Sequence, residues 1–122
     1  MRSPHSIEHL ASAKKLIEAA IAHRPSNLPE IADRNHGYHT ATYLMGSIRA
    51  RLILIVMYTC SSDEISYAGF LFHEVLLAFY QARQYASYPP GRDKRQLQRI
   101  EEMLAIFKRA YTQFNLAKEE IA

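Results

Sequence analysis

Tryptophan is absent from the chain and cysteine occurs once, as Cys60. A lone thiol excludes an intramolecular disulfide framework and fits a reducing compartment. Glycine is scarce at four residues and proline at five. No low-complexity run or internal repeat accompanies them, so a disordered or fibrous chain is excluded. Also missing are a glycine-rich nucleotide loop, a zinc-type cluster and a nucleophile elbow. The opening Met1-Arg2-Ser3-Pro4-His5-Ser6 has no apolar stretch behind its arginine, unlike a secretory signal. The most apolar window, Ala41–Cys60, carries Arg49 and Arg51 near its middle, and central arginines are costly in a bilayer. A membrane span is therefore not expected, and the expected location is the cytoplasm. No cofactor or metal is expected either.

What is present is a chain of 122 residues with 48% apolar and 22% charged residues. That is enough for one domain, residues 1–122, around a single core. Ile7, Leu10, Ala13, Ile17, Ala20 and Ile21 recur at three- and four-residue spacing, predicting a first helix from Ser6 to His23 with one buried face. Ser3-Pro4 supplies its start, and Pro25 ends it because the residue before proline leaves the α region. Ser26–Arg34 reads as a short turn or single-turn helix, and Gly37 breaks the chain before a longer one.

Two long helices, Tyr38–Cys60 and Glu64–Ala86, are then predicted around the turn Ser61-Ser62-Asp63. Ser61 and Glu64 have capping-box spacing. The first of the pair carries a seven-residue stripe, Tyr38, Ala41, Met45, Ile48, Leu52, Ile55 and Thr59, beside a second one, Gly46, Ala50, Ile53, Met57 and Cys60. The other predicts a buried row of Ile65, Ala68, Phe72, Leu76 and Phe79, with Phe70, Leu71, Val75 and Leu77 on its remaining faces. Ser87-Tyr88-Pro89-Pro90-Gly91 breaks the chain again. Asp93 with Gln96 repeats the capping box before a last helix built on Leu97, Ile100, Leu104, Phe107, Tyr111, Phe114 and Ile121. The expected fold class is all-α: an antiparallel four-helix bundle with a central apolar hairpin, dimerising.

A helix that is apolar on every side is normally buried on every side. The hairpin has more apolar surface than three neighbours need. Either the outer helices wrap it, or a face is left for a second copy or a protein partner. On the second reading the interface comprises Ile53, Met57, Phe70, Leu71 and Leu77, with Tyr38 and Tyr43 at its rim. If the hairpin turns about Ser62, Glu74 comes beside Arg49 and Arg51, and an arginine–Glu74 ion pair is expected in this apolar stretch.

The formal net charge of +3 lies wholly in one segment, where Arg92, Lys94, Arg95 and Arg99 outnumber Asp93. It reads as a solvated helix start or as an anion patch. Tyr80, Tyr85 and Tyr88 approach it, which admits a basic nucleic-acid-binding bundle. His5 and His9 are four apart, a spacing shared by solvated histidines and by a weak metal pair. Cys60 reads as a packed thiol.

Arg34-Asn35-His36-Gly37-Tyr38-His39 resembles the R-N-x-x-x-H signature of HEPN-type ribonucleases, small all-helical domains that act as dimers. The resemblance implies metal-independent RNA cleavage across a dimer interface, with Arg34 on phosphate, Asn35 orienting and His39 as acid–base. The match spans six residues, and two further long helices follow it, whereas the family's motif commonly precedes its last helix. The expectation favoured by the whole chain is non-enzymatic. It is a helical interaction module, such as a small regulator, inhibitor or adaptor that sequesters a partner through an apolar helical face.

Overall fold

A computed structural model describes residues 4–23, 34–57 and 62–121, with backbone alone at positions 4, 5 and 121. It contains α1 (Pro4–Ala22), α2 (His36–Met57), α3 (Ser62–Ser87) and α4 (Lys94–Ile121), and no strand among the described residues. The turn expected over Ser26–Arg34 lies outside them as far as position 33, as do Tyr58, Thr59, Cys60 and Ser61.

The four helices pack against one another: α1 on α2 and α4, and α3 on α2 and α4. Pro4 does occupy the first helical position of α1. Leu10, Ala13, Ile17 and Ala20 are fully buried. Ile7, expected in the same row, is 41% exposed, and Ser6 takes the core-facing position instead. On α2 the seven-residue stripe from Tyr38 to Ile55 is buried throughout. Rings form the centre of the α3–α4 contact. Phe72 lies 4.7 Å from Phe114, 5.2 Å from Tyr111 and 5.6 Å from Phe107 between ring centroids, and Phe79 also packs on Phe107. Offset aromatic pairs add to the burial of their area.

Two glycines have conformational work to do. A Cβ on Gly37 would stand 2.6 Å from the Ala82 backbone nitrogen and 2.8 Å from the Ala78 carbonyl oxygen, so only glycine lets α2 approach α3 this closely. Gly91 adopts φ 79° in the turn after α3, a left-handed conformation that side chains disfavour. Arg92 N–H to Pro89 carbonyl and Asp93 N–H to Ala86 carbonyl close that turn, at 3.0 and 3.2 Å.

Gly37 also fixes the axial register of α2 against α3. Gly37 meets Ala78 and Ala82, and Arg51 reaches Glu64 and the ring of Tyr67. Relative to a turn centred on Ser62, this register is displaced by about two helical turns. Glu74 is thereby carried away from the arginines, and the expected Arg–Glu74 pair does not form. Arg49 lies 3.6 Å from Glu18 on α1 and Arg51 2.9 Å from Glu64 on α3.

Candidate functional site

The second stripe of α2 is its outward face. Tyr43 is 75% exposed and Met57 65%, Leu54 is exposed between them, and Gly46 and Ala50 are exposed alongside. Ile53 is half-buried at the edge. No charge interrupts this row, because Arg49 is drawn to one flank by Glu18 and Arg51 to the other by Glu64 and Tyr67, 4.1 Å from the ring centroid. On α3, Phe70 and Leu77 are exposed and Phe70 stacks on exposed Tyr67 with centroids 6.2 Å apart. Two expected contact residues are corrected. Tyr38 is 1% exposed and Leu71 5%, so both belong to the core. Leu71 is one helical step, about 100°, from exposed Phe70.

Within the Arg34–His39 segment, Asn35, Gly37 and Tyr38 are buried. Asn35 is fully buried. Its Oδ1 accepts the Tyr38 N–H at 3.1 Å, the N-cap bond of α2. Its Nδ2 donates to the Ala82 carbonyl at 2.9 Å and to Gln96 Oε1 at 3.1 Å. One amide thus joins α2, α3 and α4. Arg34 and His36 are exposed. His39 is half-buried, its ring edge-to-face on Tyr38 and its carbonyl accepting the Thr42 hydroxyl.

Asp93 caps α4, with its Oδ1 accepting the Gln96 N–H at 3.0 Å. The other half of the capping box does not form, because the Gln96 side chain turns inward to Asn35. The basic segment is dispersed by its neighbours. Arg92 donates to the Tyr85 hydroxyl at 2.8 Å and covers its ring, and Arg99 reaches His23 and Glu102. Lys94 and Arg95 are left exposed. His9 contacts Gln113 at 2.8 Å and Glu120 at 4.0 Å, while the His5 side chain lies outside the description. No group of histidine, cysteine or acidic residues that could hold a metal occurs among the described residues.

The cluster of His23, Arg99 and Glu102 had no signal in the sequence, since α1 and α4 bring its members together from opposite ends of the chain. The hydrogen bond from His23 holds the Glu102 carboxyl below the ordinary value of 4.5, against desolvation. The charges of His23 and Arg99 and the Gln98 amide act in the same direction as that bond. A carboxyl depressed on folding contributes stability above its unfolded value, and the contribution is lost as pH falls through the folded one. Thermal melts of Glu102→Gln and the parent protein should therefore differ near neutral pH and converge as pH drops below 4.5. A gap that persists in acid would show that the Glu102 charge is not what stabilises the fold there.

Comparison with models of protein families, with curated proteins and with solved structures finds no match to this chain. Fold and surface define the class, a small all-α helical domain. The ribonuclease resemblance rests on its six residues alone.

Proposed function

We propose that this protein is a non-enzymatic, cytoplasmic interaction module. In this reading its helices form an antiparallel bundle that dimerises, or captures a partner protein, through the outward faces of α2 and α3. The observation that carries the reading is the charge-free outer row of α2: Tyr43, Gly46, Ala50, Leu54 and Met57, exposed in succession. The outward side of a bundle helix is ordinarily its charged side. Here the two arginines of the stretch are held on the flanks by ion pairs instead. Phe70, Tyr67 and Leu77 extend the apolar area across the hairpin, and aromatic residues and methionine are what interface cores favour.

By length and composition α2 is also apolar enough to cross a membrane. The burial of its first stripe from Tyr38 to Ile55 against the other helices is what favours the bundle reading over a span. Sedimentation equilibrium tests the proposal. Met57→Glu and Phe70→Glu should each weaken self-association by about thirtyfold or more, the size of an interface hot spot. Both residues are exposed, so the melting temperature should stay close to that of the parent. His39→Ala should leave association unchanged. RNA cleavage abolished by His39→Ala or Arg34→Ala would replace this reading with the ribonuclease one.

A further inference from the structure

We propose that the cleft between α1 and α4 binds a small phosphate monoester. Ser12, Lys15 and Leu16 of α1 and Arg109, Thr112 and Gln113 of α4 line a depression of about 350 Å³. Because α1 and α4 form one side of the bundle and the α2–α3 hairpin the other, this cleft is separate from the apolar face and does not rest on its role.

Two cations line the cleft from opposite helices, and no acid is among its described lining residues. Neighbouring carboxylates do not neutralise them. The one acid a turn from Lys15 is Glu18, which lies 3.0 Å from Lys14 and 3.6 Å from Arg49. One turn either side of Arg109 stand Ala105, Ile106, Thr112 and Gln113, all uncharged. Elsewhere on the surface several cations are matched: Arg51 with Glu64, Arg83 with Glu101, Arg99 with Glu102. Like charges facing one hollow repel unless an anion lies between them.

The donor set selects the kind of anion. An arginine fork grips two oxygens of a phosphate and a lysine adds a point charge. Together they match a monoester, which carries about −1.5 to −2 at neutral pH, better than a single carboxylate. Gln113 uses its Oε1 on His9 at 2.8 Å, which leaves its amide N–H groups for the ligand. Thr112 donates its hydroxyl to the Lys108 carbonyl at 3.1 Å, so toward the cleft it offers acceptor lone pairs, suited to a ligand hydroxyl. Leu16, half-buried, provides apolar contact for a short carbon body. The depression is near the lower end of small-molecule sites, about 300 Å³, which favours a compact ligand.

The test is an amide-resolved NMR titration of the full chain with glycerol phosphate at low ionic strength, with sodium acetate and a single-stranded oligonucleotide titrated in parallel. The expected result is saturable binding with shifts confined to residues 12–16 and 109–113. Arg109→Gln and Lys15→Gln should each weaken it by about tenfold or more, as loss of a charge-assisted contact does. Both side chains are exposed, and circular dichroism of each variant confirms that the helices persist. The proposal is overturned by any of four results. These are no saturation by about 20 mM phosphomonoester, equal affinity for acetate, undiminished affinity in a variant carrying both Lys15→Gln and Arg109→Gln, or shifts centred away from residues 12–16 and 109–113.

Discussion

Replacing Asn35 by alanine lowers the stability of this protein by about 2–4 kcal/mol. The loss has two parts. Removing the cap bond to the Tyr38 N–H costs about 1 kcal/mol. Removing the amide also leaves the Ala82 carbonyl and Gln96 Oε1 without their donor in a buried setting, at about 1–3 kcal/mol. Urea unfolding followed by circular dichroism measures it. Asn35→Asp tests the donor contacts alone, because a carboxylate preserves the cap but cannot donate to Ala82 or Gln96. The expected order of stability is parent, then both variants well below it. If Asn35→Ala stays within about 0.5 kcal/mol of the parent, Asn35 is not the junction described, and its place in a ribonuclease-like motif regains weight.

Phe72→Ala produces the larger loss, about 3–5 kcal/mol, as expected for a fully buried ring whose removal leaves a cavity. Its neighbours Phe107, Tyr111 and Phe114 all belong to α4, so the cavity opens between two long helices that cannot easily collapse into it. Phe70→Ala is the matched control. It lies two residues earlier, is 54% exposed, and its loss should stay within about 0.5 kcal/mol in the monomer. Similar losses at both positions would mean that Phe70, and not Phe72 alone, faces the core. With net stability of a domain about 5–15 kcal/mol, a loss at Phe72 removes a large share.

The contrast between Phe70 and Phe72 marks how far the sequence could be read. Which residues share a helix face is a local property, set by about 100° per residue, so the core row of α2 from Tyr38 to Ile55 was legible from spacing alone. So were the all-helical class and the capping role of Asp93. Which apolar row faces inward was less legible where two rows compete. Tyr38 and Leu71 belong to the core, and Tyr43 and Phe70 do not, although their chemistry is nearly the same.

The sequence by itself determined the four helices, their approximate bounds and the surplus of apolar residues on the central pair. The tertiary structure alone decided the axial register, the partners of the charges and the fate of Asn35. The reason is that helix formation and facing depend on near neighbours, whereas register depends on close approaches between distant segments. The contact of Gly37 with Ala78 and Ala82 slides α3 along α2, and with it Arg51 finds Glu64 rather than Glu74. In the same way the convergence of Lys15 with Arg109, and of His23 with Glu102, exists only because α1 lies against α4.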